Sequence, residues 1–312
     1  MGIVVIGSVF VDIKGYPLAQ YIPAGRNAGR VQQVHGGVSR NLVEDIANID
    51  LHPTFVSLVD DTGLGTDVLE RLRRHHVNTD YIRRVPDGMG TWLAVFDNNG
   101  DVVASISRRP DLTGIMHILQ EQGDEIFQGA DSIAIEVDIE DFILEEVLRL
   151  AEKYGKDVYG LVSNMSIALE RRGQISRIAC FVCNLQEAGL FFAEDYSSFS
   201  KEQLLPVLQE KIRQAGIRRM VVTMGDEGAV YASLCGELGM IDAPKVDVID
   251  TTGCGDAFCA GVTIGLTYGK TLAQACEIGT RIAASVIATE DSVCPRFKPG
   301  EFGLDILESR DS

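Results

Sequence analysis

Val248-Ile249-Asp250-Thr251-Thr252-Gly253-Cys254-Gly255-Asp256-Ala257-Phe258-Cys259-Ala260-Gly261 is the stretch on which the reading of this chain turns. Val246, Val248 and Ile249 read as the end of a strand, Asp250-Thr251-Thr252 as a turn, and about Ala257 to Tyr268 as a helix of small residues. A glycine-rich turn at a helix start leaves backbone N–H groups unpaired and aimed together, where the helix dipole also favours negative charge. Gly253, Cys254 and Gly255 therefore read as an anion hole. A carboxylate at its lip would be repelled by a bound phosphate, so Asp256 reads as a base that takes a proton from whatever attacks that phosphate. An ordinary tight turn followed by an acidic first helical turn is the alternative reading of the same residues.

Working outward, the chain alternates strands with helices. Strands are expected at Ile3–Ile6, Phe55–Val59, Ser132–Glu136, Asp157–Val162, Ile178–Cys183 and Arg219–Met224. Helices are expected at about Gly65–His76, Glu140–Tyr154 and Lys201–Ala215. Such alternation means a mostly parallel sheet with helices on both faces. Ligands of open parallel sheets sit beyond the carboxyl ends of strands. Asp12, after the first strand, is placed there, although a loop carboxylate capping local amides fits it equally. Gly36 and Gly37 open a helix whose apolar face is Leu42, Val43, Ile46, Ala47 and Ile49, and Asn41 projects from its first turns. Residues 15–33 read as irregular, and Asn98-Asn99-Gly100 between β-rich runs reads as a hairpin turn. Together these predict one domain over residues 1–312 with lid segments at about 12–35 and 88–110. Only the tail beyond about Lys298 reads as loose.

Two further motifs fall at strand ends. Asn184 and Glu187 share one helical face and either hold a hydrated Mg²⁺ or complement the helix dipole. Thr223-Met224-Gly225-Asp226-Glu227-Gly228 is a second glycine turn. Gly63-x-Gly65 lacks the third glycine of a dinucleotide fingerprint, and no such fingerprint follows the first strand, which argues against a nicotinamide oxidoreductase. Cys180 and Cys183 lie in an apolar run with no second pair, so they read as core.

Composition narrows the partners. The 312 residues are 46% hydrophobic and 23% charged, with a net charge of -17. That charge repels nucleic acid and anionic membrane, so an anionic ligand must be held by local features. No run of about 18 apolar residues and no secretory leader is read, and the seven scattered cysteines fit a reducing cytoplasm.

Taken together these residues resemble the ribokinase-like (PfkB-type) family of carbohydrate and nucleoside kinases, from the first strand to about Pro295. Asp250-Thr251-Thr252-Gly253-Cys254-Gly255-Asp256 looks like its C-terminal signature and Gly36-Gly37-x-x-x-Asn41 its N-terminal one. Asn184-x-x-Glu187 is similar to its magnesium-associated motif, and Thr223-x-Gly225-x-x-Gly228 to its nucleotide-contacting turn. The resemblance implies an eight- or nine-stranded α/β core with a β-lid, and ATP-dependent phosphorylation of a primary hydroxyl. It implies Asp256 as base, the amides of Gly253, Cys254 and Gly255 as anion hole, and Asp12, Gly36, Gly37 and Asn41 as acceptor contacts. Asn184, Thr223, Gly225 and Gly228 would meet the nucleotide, and Glu187 would hold Mg²⁺ through water. Asp250 and Thr252 leave a K⁺ site open, although Glu290-Asp291-Ser292-Val293 lacks the glycine usual in a cation loop. Arg281 stands roughly where sugar kinases often carry an asparagine near the adenine.

Val11–Gly15, Arg26–Val31 and Gly36–Asn41 look most like the pseudouridine-kinase branch, which implies the 5′-hydroxyl of a ribonucleoside as acceptor. A free pentose, hexose or sugar phosphate is the runner-up; for the last, Lys14, Arg26, Arg40, Arg108 and Arg109 are the candidate cations. A catalytically idle ligand-binding protein of the same fold is the reading of a different class, and an intact Asp256 argues against it. The family analogy also implies a homodimer through the β-lid.

Overall fold

The computed structural model describes residues 2–98 and 102–304. In chain order, β1 (Gly2–Ile6) is followed by β2 (Phe10–Pro17), β3 (Gly29–Gly36), α1 (Val38–Asn48), β4 (Thr54–Val59), α2 (Gly63–Arg74) and β5 (Ile82–Arg84). Next come β6 (Gly90–Phe96), β7 (Val102–Arg108), α3 (Thr113–Gly129), β8 (Ala130–Glu136), α4 (Asp141–Tyr154) and β9 (Val158–Leu161). Two single-turn pieces, α5 (Met165–Ala168) and α6 (Arg172–Ile175), lead to β10 (Cys180–Asn184), α7 (Leu185–Phe192), α8 (Lys201–Ala215) and β11 (Arg219–Thr223). The chain closes with β12 (Ala229–Ser233), β13 (Leu238–Ile241), α9 (Cys254–Thr267) and α10 (Leu272–Ile287).

Nine strands form one sheet in the order β13-β12-β11-β10-β9-β8-β1-β4-β5. It is parallel from β11 to β5, and only β12 and β13 run antiparallel at one edge. The parallel strands are continuous apolar runs because both faces are covered. One face buries α3, α4 and α8; the other buries α1, α2, α9 and α10. From β1 the chain builds outward through β4 and β5, then returns to β8 on the other side of β1 and builds the opposite way. That reversal opens a crevice beyond the carboxyl ends of β1 and β8, the place where such sheets bind ligands.

Four strands in the order β3-β2-β6-β7 make the separate lid. Here the sequence reading needs correction. Residues 15–33 are two strand arms around a loop, and Asp12 is a strand residue in β2 paired with Val34 and Trp92. The arms lack a clean apolar alternation because, among the described residues, no helix packs on the outer face of the lid sheet, where Val31, Leu93 and Ile106 are exposed. The turn predicted at Asn98-Asn99-Gly100 lies largely outside the described residues.

Two boundaries around the signature also move. Residues 242–253 form no strand: Val248 and Ile249 are 63% and 58% exposed, and the amides of Ile249 and Asp250 bond the Ile287 carbonyl at the end of α10. Among the described residues no strand lies beyond β13 to pair with them, so apolar letters alone do not make a ladder there. The helix begins at Cys254 instead of Ala257, which places Asp256 inside its first turn. Pro299–Phe302 forms a 3-10 turn that buries Phe302, so the chain stays ordered past Lys298; residues 305–312 lie outside the described residues.

Helix α9 reaches this position because it lies very close to α10. A methyl on Gly261 would overlap the backbone of Gly279, and one on Gly265 would lie 2.6 Å from the Ala275 Cα. The run of small residues that the sequence shows is therefore the contact that aims the start of α9 at the crevice.

Candidate active site

Asp256 is the meeting point. Its Oδ2 accepts a 2.7 Å hydrogen bond from Nδ2 of Asn41, which projects from the first turns of α1. Asn41 is oriented in turn by Ser292, whose Oγ donates to Asn41 Oδ1 at 3.2 Å. Burial pushes the Asp256 carboxyl up to about 7; Asn41 and Arg40 pull it down, and the carboxylates of Glu136 and Asp12 push it further up. A carboxylate poised near neutrality holds a proton weakly enough to release it and strongly enough to take it, which suits a general base.

Gly253 caps α9 at φ 83, in the left-handed region that favours glycine. A methyl there would overlap the Ser292 carbonyl oxygen. Among the described residues the Gly253 and Gly255 amides have no protein acceptor, whereas the Cys254 amide reaches the Thr251 carbonyl at 3.3 Å. Two of the three expected donors are thus fully free, at the positive end of a 14-residue helix. The Cys254 thiol is pushed up to about 12, chiefly by burial, so it contributes no thiolate at neutral pH.

On the acceptor side, Asp12 is buried against Gly36, where a Cβ would lie 2.5 Å from the carboxylate carbon. Burial raises its carboxyl, while Lys14 and Arg40 draw it down. Gly37 caps α1 at φ 95 beneath β2. Helix α1 is amphipathic by sequence but buried on all sides from Ser39 to Asn48, because lid, sheet and α9 enclose it. Its Glu44 is paired twice, with Arg40 at 2.7 Å and with Arg71 of α2 at 2.6 Å, whereas among the described residues Asp45 has no cation and accepts the Cys294 amide at 2.6 Å.

Glu136 was not among the sequence candidates. It ends β8 in the crevice, where its Oε1 accepts the amides of Ser8 and Ser39 at 3.2 and 3.0 Å and its Oε2 accepts the Ser8 hydroxyl at 3.0 Å. Burial, then Asp138, pushes it up to about 6. The available signal was a carboxylate closing the apolar run Ile133-Ala134-Ile135. Lys14 is the second addition, here in a new role. It reaches from the lid, buried, with Nζ 3.5 Å from Thr252 Oγ1 and 3.9 Å from Asp250 Oδ2.

That contact bears on K⁺. Asp250 Oδ1 already accepts the Thr252 amide at 2.8 Å, and the lysine ammonium stands on the remaining oxygens. A second unit charge about 4 Å away would be repelled by about 4 kcal/mol at an effective dielectric of 20. A further monovalent cation on the Asp250 and Thr252 side chains would share these oxygens with the Lys14 ammonium.

The other candidate cations are mostly engaged elsewhere. Arg108 pairs with Asp87 and Arg109 with Asp138, while Arg26 is exposed on the lid loop.

The donor-side motifs have local structural duties. Asn184 and Glu187 form a reciprocal capping box on α7: Asn184 Oδ1 accepts the Glu187 amide and Glu187 Oε2 accepts the Asn184 amide, both at 2.8 Å. This occupies the Asn184 oxygen but leaves Glu187 Oε1 free of the box, so a hydrated Mg²⁺ fits through Glu187 and not through an Asn184–Glu187 oxygen pair. Thr223 ends β11, and Gly225 and Gly228 flank a 3-10 turn at φ 60 and 101. Any side chain on Gly228 would overlap the Ile241 carbonyl. Arg281 faces away to Glu301, with its guanidinium over Phe297 and Phe302. Cys180 and Cys183 are buried free thiols, each pushed up by burial. Among the described residues, no helix is long and apolar enough to cross a membrane.

Residues 2–295 match the pfkB family carbohydrate kinases. A guanosine-inosine kinase from Exiguobacterium acetylicum is 34% identical over 298 residues, covering 95% of this chain and 97% of that protein. A pseudouridine kinase from Escherichia coli is 25% identical over 291 residues, covering 92% of this chain and 91% of that one. Among solved structures, Arabidopsis thaliana ribokinase complexed with ribose and ATP superposes with a TM-score of 0.79 at 21% identity, covering 94% of this chain and 96% of that chain.

Proposed function

The chain belongs to the pfkB carbohydrate kinase family and is a sugar or nucleoside kinase; from that premise we propose that it transfers the γ-phosphoryl group of ATP to the 5′-hydroxyl of a purine ribonucleoside. The observation that carries the chemistry is the half-buried Asp256–Asn41 pair beside the free amides at the start of α9. In this reading Asp256 takes the proton of the attacking hydroxyl. The Gly253 and Gly255 amides, with Lys14, stabilise the charge that spreads over the phosphoryl oxygens in the transition state. Asp12 and Glu136 hold sugar hydroxyls, with Gly36 and Gly37 giving the sugar close access to the backbone. Glu187, through water, would hold Mg²⁺, which offsets the charge of the phosphates. The turn of Thr223, Gly225 and Gly228 borders the nucleotide.

A nucleoside is favoured over a free sugar by the inner face of the lid. Asp12, Lys14, Tyr16, Trp92 and Phe96 lie on one face of β2 and β6 by register, and Lys14 on that face touches the signature. Tyr16 stacks on Phe96 at 4.8 Å, and Trp92 meets Phe96 edge-on at 6.5 Å. A ribose needs no aromatic wall, whereas a base stacked on an aromatic side chain gains about 1–3 kcal/mol. The 34% identical guanosine-inosine kinase moves the favoured base from pseudouridine to a purine.

Trp92→Ala is expected to lower kcat/KM for guanosine and inosine by about 10–100-fold, in line with that stacking energy, and to leave ribose turnover nearly unchanged. An equal loss for ribose, or no loss for the nucleosides, would remove the lid's role in base recognition.

A further inference from the structure

Two imidazoles and a carboxylate meet at the far end of α1, away from the chemistry. Asp50, His52 and His76 each offer a ligand atom, and these atoms lie within 4.8 Å of one another. The two rings stack almost parallel, 5.5 Å between centroids and 6° between planes. All three side chains are exposed, and among the described residues no hydrogen bond or ion pair engages them. Their neighbour His75 differs: its Nδ1 lies 2.6 Å from Asn48 Oδ1 and its Nε2 3.4 Å from Glu44, so it belongs to the buried network of α1.

The backbone holds the cluster in place. Asp50 and His76 follow the ends of α1 and α2, and both are non-glycine residues in the left-handed region, at φ 59 and 63. Glycine or asparagine is the usual residue where a helix ends this way; here both positions carry metal-ligating side chains. His52 precedes Pro53, which biases it toward extended backbone. The two segments are tied by the Asn78 amide to the Pro53 carbonyl at 2.9 Å and the Phe55 amide to the Asn78 carbonyl at 3.0 Å. The three ligands thus project from fixed backbone, and only their side-chain torsions remain to be set.

We propose that Asp50, His52 and His76 form a binding site for a borderline divalent cation of the Zn²⁺ class. Two imidazole nitrogens and one carboxylate oxygen suit Zn²⁺, Ni²⁺ or Cu²⁺, and not the hard, heavily hydrated Mg²⁺ expected beside the phosphates. Bonds of about 2.0–2.1 Å in a tetrahedron set ligand atoms about 3.4 Å apart. Closing from 4.8 Å takes rotations that exposed side chains make freely. Three protein ligands leave one position for water. The ion would pin the ends of α1 and α2 together, about 13 Å along α1 from Asn41 at 1.5 Å per residue.

The test is a Zn²⁺ titration of untagged, nucleotide-free protein against a chromogenic chelator, with Co²⁺ absorption as a second readout. Wild type is expected to take up one Zn²⁺ per chain with micromolar affinity and to give the visible bands of tetrahedral Co²⁺. His76→Asn preserves a residue at ease in the left-handed region, and Asp50→Gly relaxes the backbone, so neither should unfold the protein. His52→Asn and His76→Asn should each weaken binding by about tenfold or more and leave Mg²⁺-ATP turnover unchanged. The proposal is overturned if wild type binds no Zn²⁺ at millimolar concentration. It is equally overturned if the His52→Asn/His76→Asn double variant binds as wild type does, which would place the ion on thiols or on the catalytic carboxylates.

Discussion

Asp256→Asn is expected to lower kcat by about 10³-fold, within the range of about 10²–10⁴ for losing one general base, while ATP still binds. The amide keeps the shape and still accepts a hydrogen bond from Asn41, so the anion hole and lid stay in place; only the proton acceptor is lost. The wild-type pH profile should carry the same signature. Because Asp256 must be ionised to act and sits at about 7, kcat/KM should rise with pH through a midpoint near neutrality, and that limb should vanish in the variant.

Stability should move the other way. A carboxyl raised from 3.8 to about 7 on folding stabilises the fold below its unfolded pKa, and that contribution is lost as pH rises through 7. Asparagine carries no such loss. The variant should therefore melt above wild type at pH 8, with a gap that grows between about pH 4 and 7 and then levels off. A variant that turns over normally, or that melts lower at every pH, would contradict the base assignment.

Gly253→Ala is the second large effect. The residue sits at φ 83, where a Cβ costs about 1–2 kcal/mol, and the methyl would overlap the Ser292 carbonyl. Relief of that overlap must shift either the start of α9 or the 292 segment. Ser292 orients Asn41, and Asn41 bonds Asp256, so both routes misplace the base or the anion hole. A displacement of about 1 Å is worth about 100-fold in rate, and a loss of at least that size is expected. Gly255→Ala is the matched control. Its Cβ meets nothing within 4 Å and its backbone is helical, so its amide stays in position and the loss should be small. Equal losses in the two variants would mean that bulk at the mouth, and not the geometry of the amides, governs turnover.

Much of this architecture was legible because it rests on local rules. Continuous apolar runs such as Ile3–Ile6 and Phe55–Val59 can only be satisfied inside a covered parallel sheet, and they became β1 and β4. The signature and its Asn41 partner were legible as motifs, although 215 positions separate the two residues. What stayed hidden depends on distant partners. Glu136 looks like the ordinary end of a strand until the sheet order sets it beside Ser8 and Ser39. The lid arms read as irregular because their second face has no partner among the described residues, so periodicity fails there. Val248 and Ile249 look like a strand because they are β-branched, but a strand needs a neighbour, and the sheet ends at β13. Asn184 and Glu187 were correctly placed at a strand end, yet only coordinates show each serving the other's backbone amide.

The central claim is phosphoryl transfer from ATP to a nucleoside hydroxyl. Its most direct test is mass-spectrometric detection of product after incubating the purified protein with ATP, Mg²⁺ and, separately, guanosine, inosine, pseudouridine and ribose. The account predicts a nucleoside 5′-monophosphate from guanosine or inosine, with matching ADP release, at rates well above ribose. Absence of any phosphorylated nucleoside, with ribose or another free sugar consumed instead, would contradict it.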